Sequence, residues 1–216
     1  NYALNRKEII DAALFGSGAP AAPLPAVLKD WAIDVKDLPC YAHDPVKAQA
    51  LLKEAGVATP VTVSMTVLPR QDIRDIAQVV QQQLGKAGFK VELKNPELGQ
   101  FVQDWRNSNF DLFASTNAGS IEPDDYFYRA FRTGGSTNVF KYSNPDLDAL
   151  LDKGRATLDK PARQAAYRDA QKILGCTGPA AHIAYPTLFS AVRGNLQGYD
   201  IYANRSLVSL GRASLR

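Results

Sequence analysis

The most constraining feature of this sequence is an alternation of strand and helix patterns in the middle of the chain. Residues 61–67 alternate apolar and polar side chains, which is typical of a strand with one buried face. Residues 72–86 and 98–106 carry apolar side chains at helical spacing. Short apolar runs at 89–93 and 110–115 complete the order β-α-β-α-β. Because strands that alternate with helices pair in parallel through right-handed crossovers, we predict an α/β fold with an open sheet flanked by helices.

Helices are also predicted on both sides of this region. Asn5 is a candidate N-cap for a helix over 6–14, and Asn144 is a candidate N-cap for a helix that begins at Pro145. A further helix is predicted to begin near Lys160. Residues 181–185 and 188–192 resemble strands, and we expect the strands to join one open mixed sheet.

The charge and motif patterns argue against several classes of protein. The 25 basic and 22 acidic residues are mixed along the chain without a Lys/Arg run, so we expect no nucleic-acid partner. The sequence contains no apolar run of about 18 residues, the length that a membrane-spanning helix needs. It also lacks a phosphate-binding loop, a nucleophile elbow and a zinc-protease motif, so we expect no cofactor.

An acidic cluster provides the strongest enzymatic alternative. Glu122, Asp124 and Asp125 could serve an independent hydrolase-type domain, although acidic residues here also fit the first turn of a helix, where the helix dipole favours them. His43 and His182 are isolated in the sequence. His43 is predicted to be exposed and His182 to be packed in a strand, so the pattern favours a chain that is not an enzyme.

Cys40 and Cys176 leave two possibilities open. Neither cysteine belongs to a metal-binding spacing. They could form a disulfide, which an exported protein permits, or remain two separate buried thiols. The sequence does not show that their Cα atoms lie within the bridging range of about 4.4–6.8 Å, so separate thiols are favoured.

Three ordered segments carry a resemblance to a known family. Residues 2–23 contain YALNRKEII followed by GSGAP and a proline, and residues 41–56 are YAHDPVKAQALLKEAG. Residues 138–151 are NVFKYSNPDLDALL, followed at family-like spacing by Asp159, Arg163, Tyr167 and Gln171. Together they resemble the peptide/nickel-type, or dipeptide/oligopeptide-binding-like, extracellular solute-binding proteins of ABC importers.

The resemblance implies one lobe of a two-lobe, type II periplasmic-binding-protein-like fold. Residues 1–186 would form the C-terminal lobe, and residues 187–216 would form a tail that returns to the N-terminal lobe. The first motif lies well inside the family's proteins, so we expect this chain to be a fragment without the N-terminal lobe and the export signal. The implied function is the capture of a peptide-like or other small solute for ABC permease subunits, in the periplasm or on an exported, membrane-anchored protein.

Binding residues are expected beyond the strand at 110–115, because ligands of open α/β sheets lie past the carboxyl ends of strands. The resemblance and this rule together point to Trp105, Arg106, Asn117, Gly119, Ser120, Asn138 and Tyr185. Core packing is the alternative for Trp105, and solvent exposure is the alternative for Arg106. A turn position is the alternative for Asn138, and Tyr185 could be a core aromatic with its hydroxyl at the surface.

Two further expectations concern charge at the binding site. In the family's peptide binders, an aspartate meets the amino group of the peptide, and its place falls at Gly119 or Ser120 in this sequence. We therefore expect a solute that is not held through a free amino terminus by an aspartate of this lobe, with Glu122 as the nearest substitute. Arg70 could face an anionic ligand, although a surface position at the start of a helix is favoured.

Overall fold

The computed structural model describes residues 1–117, 122–202 and 206–216. Within these ranges the helices are α1 (Arg6–Ala13), α2 (Pro45–Glu54), α3 (Gln71–Lys86), α4 (Leu98–Arg106), α5 (Pro123–Phe131), α6 (Pro145–Ala156) and α7 (Lys160–Cys176). The strands are β1 (Gly18–Pro20), β2 (Val61–Val67), β3 (Phe89–Lys94), β4 (Leu112–Ala114), β5 (Ala184–Pro186), β6 (Leu196–Gln197) and β7 (Ser214–Leu215). Short 3₁₀ turns occupy Val35–Asp37, Pro39–Tyr41 and Val208–Arg212.

A parallel three-stranded sheet in the order β3-β2-β4 lies at the centre of the fold. Met65 and Val67 of β2 are buried against α3, whose Ile73, Ala77 and Val80 form its apolar stripe. These residues recur at helical spacing, so one face of α3 covers the sheet while the other remains polar. The predicted β-α-β-α-β order and parallel pairing are confirmed, with small differences at the element ends.

The remaining strands form two separate antiparallel pairs, which differs from the single sheet expected. β1 pairs with β5 so that Ala19 lies opposite Tyr185, and β6 pairs with β7. The strand predicted at 181–185 is reduced to Ala184–Pro186, and the strand predicted at 188–192 is wrong. The apolar composition of 188–192 suggested a strand with one buried face. Phe189 is 78% exposed, however, so this segment does not pack against the core.

A second core forms where the helices of the later half meet. Phe127 of α5, Leu147 and Leu151 of α6, and Tyr167 and Leu174 of α7 are fully buried together. The predicted cap of α6 is confirmed, because the Asn144 side chain accepts a hydrogen bond from the Leu147 N–H at 3.0 Å. The α6–α7 packing is close, since Gly154 faces the ring of Tyr167.

A disulfide joins Cys40 to Cys176, so the preference for two separate thiols is wrong. The Cα atoms lie 5.6 Å apart although the residues are 136 positions apart in sequence. The 3₁₀ turn Pro39–Tyr41 sits against the end of α7, where a Cβ on Gly175 would come within 2.7 Å of the Leu38 side chain. The absence of a side chain at Gly175 allows this approach, which the spacing of the cysteines could not reveal.

The C-terminal tail closes largely on itself. Asn195 and Arg216 exchange hydrogen bonds, and the buried Ser209 hydroxyl donates to the Asp200 carbonyl at 2.8 Å. Apolar side chains of the tail nevertheless remain exposed, among them Ile201, Leu207, Val208, Leu210 and Leu215. Apart from the Thr187 N–H, which donates to the Ser17 carbonyl at 3.0 Å, the described part of the tail is held by its own hydrogen bonds and buries little apolar surface.

Candidate functional site

The carboxyl edge of the parallel sheet is the candidate binding site. β2 is followed by a crossover to β3 on one side, whereas the next crossover passes to β4 on the other side. The gap between the ends of β2 and β4 is thus the point where the strand order reverses, at which open α/β sheets bind ligands. The Leu68 N–H donates to the Ala114 carbonyl at 3.0 Å, which holds the two strand exits side by side.

Arg70 is the charged residue directly beyond the end of β2. Its guanidinium forms a fork with the Asp72 carboxylate, with one Nε–Oδ1 distance of 3.1 Å. The side chain keeps 42% of its surface exposed, and that of Asp72 keeps 33%. A planar guanidinium can bind a carboxylate through two parallel hydrogen bonds, so an arginine with free surface here suits an anionic group. The sequence favoured a simple surface role for Arg70, because sheet order was not visible in it.

Asn117 lies on the segment that leaves β4 at this same edge. The residues from Ser115 to Asn117 are exposed and polar, and they continue the strand past the Leu68–Ala114 hydrogen bond. Gly119 and Ser120, the other two predicted positions on this segment, lie outside the described residues. Among the predicted positions that are described, Asn117 is the one that shares an edge with Arg70.

Trp105 and Arg106 end α4 at the opposite edge of the sheet. α4 connects two parallel strands, so it runs from the carboxyl end of β3 back to the amino end of β4. Trp105 is half-buried and Arg106 is exposed. The fold therefore separates these two predicted positions from Arg70 and Asn117.

Asn138 lies near the end of α4 and builds a turn. Its amide donates to the carbonyls of Arg132 and Tyr142 at 3.0 and 2.7 Å and accepts from the Tyr142 N–H at 3.1 Å. The neighbouring Val139 carbonyl accepts a 2.7 Å hydrogen bond from Ser108, which follows α4. The side chain of Asn138 thus stabilises the loop before α6.

Tyr185 links β5 to the loop after β1. Its hydroxyl donates to the Ala22 carbonyl at 3.1 Å, and burial raises the pKa of this phenol above its ordinary value. The residue is half-buried. This hydrogen bond joins β5 to the loop that follows its partner strand β1.

The acidic cluster considered for an enzyme is engaged by basic side chains. Glu122 caps α5 by accepting from the Asp124 N–H at 3.3 Å, and it also pairs with Arg163. Asp124 pairs with Arg155 and accepts a 3.3 Å hydrogen bond from Tyr167, whose pKa is raised to about 12, first by burial and then by Asp124. These contacts hold α5 against α6 and α7, so the acidic cluster has a structural role.

The two histidines differ in environment. His43 is exposed next to the cap of α2. His182 is half-buried with its Nε2 atom shielded from solvent, and burial followed by the charge of Arg6 lowers its pKa to about 4. Across the described ranges, His, Cys, Asp and Glu side chains form no group of three or more that could hold a metal ion. The helices in those ranges are all too short or too polar to cross a membrane.

Comparison with known proteins supplies the family context. The profile described as bacterial extracellular solute-binding proteins, family 5 Middle, matches residues 1–138. A dipeptide-binding protein of Escherichia coli is 29% identical over 210 residues, covering 93% of this chain and 39% of its own length. A glutathione-binding protein of Pectobacterium atrosepticum is 30% identical over 213 residues. This match covers 93% of this chain and 41% of the length of the glutathione-binding protein. The chain therefore spans well under half the length of these curated relatives.

A solved structure shares the same architecture. The dipeptide-binding protein of Pseudoalteromonas sp. SM9913, in complex with Met-Leu, superposes with a TM-score of 0.84 at 26% identity. The match covers all of this chain and 44% of the other. The one-lobe α/β fold expected from the sequence is thus found within a larger protein.

Proposed function

This chain belongs to the bacterial extracellular solute-binding proteins of family 5, and from that premise we propose that it forms one lobe of a two-lobe receptor for an ABC importer. The receptor would capture a peptide-like or other small solute in the cleft between the lobes and pass it to permease subunits. A cleft that closes by hinge motion encloses most of the ligand surface, so each lobe supplies only part of the affinity. Residues 1–186 would form the lobe, outside the cytoplasm.

The carboxyl edge of the parallel sheet would form this lobe's share of the cleft. The observation that carries this proposal is Arg70 at the strand-order reversal, next to the polar exit of β4. Asp72 pairs with the guanidinium, and 42% of the Arg70 side-chain surface remains exposed. We propose that a solute carboxylate binds Arg70 there, beside Asn117.

The amino end of the solute would be held differently. Gly119 and Ser120 offer no carboxylate, so an ammonium group would have to find its anion elsewhere in the receptor. A solute with a blocked amino group should accordingly lose little affinity for this lobe. The Met-Leu and glutathione named for relatives are suitable first probes of the peptide-like class.

The tail 187–216 would dock on the second lobe. Its exposed apolar residues include Leu207, Val208 and Leu215, and its described hydrogen bonds are internal except the one from the Thr187 N–H to the Ser17 carbonyl. Covering this apolar surface would be favourable by about 25 cal/mol for each Å² removed from water. The tail would then connect the two lobes.

Isothermal titration calorimetry on a two-lobe receptor that contains residues 1–216 tests this proposal. The titrants are Met-Leu, its C-terminal amide and its N-acetyl form, with glutathione as a second peptide. The variants are Arg70→Ala, expected to remove the carboxylate contact, and Arg106→Ala, a matched arginine at the opposite edge of the sheet.

We expect the amide and Arg70→Ala each to weaken Met-Leu binding by roughly tenfold or more, the value of a hydrogen bond to a charged group. Their effects should not add, because both remove the same contact. Arg106→Ala should change the Kd little. N-acetylation should weaken binding by the same factor in Arg70→Ala as in the unaltered receptor, because the anion for the ammonium group lies away from this site. If Arg106→Ala lost binding and Arg70→Ala did not, the site would lie at the other edge of the sheet. If neither peptide produced binding heat, the proposal of a peptide-like solute would be overturned.

A further inference from the structure

Arg6 is a buried cation without a carboxylate partner. Its side chain is on α1 and the residue is 5% exposed. Its Nε donates to the His182 carbonyl at 2.8 Å, and one terminal nitrogen donates to the Asn1 side-chain oxygen at 2.6 Å. None of the ion pairs in the described ranges includes Arg6. Its contacts are therefore neutral oxygens and one aromatic ring.

Three buried polar atoms, one on Arg6 and one on each of two residues that contact it, lack a hydrogen bond of good geometry. They are Nη1 of Arg6, the hydroxyl of Tyr41 and Nε2 of His182, and they are the buried side-chain atoms left unpaired in the described part of the chain. The guanidinium carbon lies 3.5 Å from the centre of the Tyr41 ring, and Nε of Arg6 is hydrogen-bonded to the backbone carbonyl of His182. Unpaired polar atoms are rare in protein interiors, and three around one cation are not explained by chance.

All three atoms can donate a hydrogen bond. Arginine has only donors, a phenol can donate, and Nε2 of a neutral histidine donates in one of its two tautomers. The face of the Tyr41 ring offsets part of the positive charge. A buried charge without a counter-charge is strongly unfavourable, however, and a water molecule would satisfy hydrogen bonds without neutralising it. An anion would do both.

We propose that Arg6, Tyr41 and His182 bind one small monovalent anion of halide size. The electrostatics of the cluster agree with this assignment. Burial lowers the pKa of Arg6 against a smaller opposing effect of Tyr41, and burial followed by the charge of Arg6 lowers the pKa of His182. The site shares no residue with the proposed solute site at Arg70, and it would link α1, the disulfide-bearing turn at Tyr41 and the segment before β5.

Thermal unfolding in chloride tests the proposal. The melting temperature of the chain is measured across a sodium chloride series and a sodium gluconate series of equal ionic strength. Tyr41→Phe removes the hydroxyl and keeps the ring over Arg6. Tyr2→Phe is the matched control, because Tyr2 also carries a cation over its ring, the Lys47 ammonium at 4.3 Å.

We expect a saturable rise of the melting temperature in chloride alone, as binding to the folded state requires. Tyr41→Phe should raise the chloride concentration at half-saturation by roughly tenfold, and Tyr2→Phe should leave it unchanged. Equal melting temperatures in the two salts, or an equal chloride response in Tyr41→Phe, would mean that the cluster holds water.

Bromide provides a readout that does not depend on the stability of a variant. Crystals of the unaltered protein grown in bromide should show an anomalous peak between Arg6 and His182. Anomalous peaks for bromide at the protein surface, with no peak in this cluster, would overturn the proposal even if chloride stabilised the fold.

Discussion

Replacing Gly154 by alanine should destabilise the protein, although alanine is the better helix former. Gly154 lies in the last turn of α6, and a Cβ there would come within 2.8 Å of Cζ and 3.0 Å of Cε2 of Tyr167. Carbon atoms prefer a separation of about 3.5–4.0 Å, so the ring or the helix would have to move by roughly 1 Å. The ring is fully buried between Trp31 and Phe127 and cannot shift freely.

The magnitude follows from two opposing terms. Overpacking a core costs about 1–3 kcal/mol, and exchanging glycine for alanine in a helix gains up to about 1 kcal/mol. A net loss of about 1–2 kcal/mol is expected, or about 2–8 °C in melting temperature for a chain of this size. Gly85→Ala is the control, because Gly85 sits in the last turn of α3 with open space around it. That variant should gain about 0.5–1 kcal/mol.

Urea unfolding at 25 °C, followed by circular dichroism, measures both variants on the same scale. A double-mutant cycle with Tyr167→Leu adds a direct test of the contact, since a smaller side chain should relieve most of the cost of Gly154→Ala. The reasoning would be refuted if Gly154→Ala were as stable as the unaltered protein, or if the cost persisted without the Tyr167 ring.

Three further perturbations have expected outcomes. Reducing the Cys40–Cys176 disulfide opens a loop of 136 residues and should lower the free energy of unfolding by up to roughly 5 kcal/mol. Urea unfolding with and without a phosphine reductant measures this loss. The Cys40→Ala/Cys176→Ala variant should not respond to the reductant. Asn144→Ala should cost about 1 kcal/mol in the same assay through loss of the α6 cap, whereas an equal stability would mean that the cap hydrogen bond is replaced by water. The pKa of His182 is lowered from 6.5 to about 4 in the folded state, so the unfolded state takes up the proton first as the pH falls. The free energy of unfolding in chloride-free buffer should therefore fall by about 3 kcal/mol between pH 6.5 and 4. The same pH profile in His182→Gln would contradict this.

The candidate site was only partly accessible from the sequence. The rule that ligands lie beyond the carboxyl ends of strands selected the segment after β4, and Asn117 lies there. Trp105 and Arg106 were selected by resemblance, yet the direction of α4 takes them to the other edge of the sheet. Arg70 could be assigned to the strand-order reversal only after β2 was known to be the central strand.

The sequence by itself determined the local structure and the family of this protein. The alternating pattern of β2, the apolar stripe of α3 and the Asn144 cap act over a few residues, so their signals are complete within short segments. The tertiary structure alone decided which distant segments meet. It paired β1 with β5, joined Cys40 to Cys176 and buried Arg6 beneath Tyr41. Such contacts depend on how helices and sheets pack as whole bodies, and no pattern of neighbouring residues records that geometry.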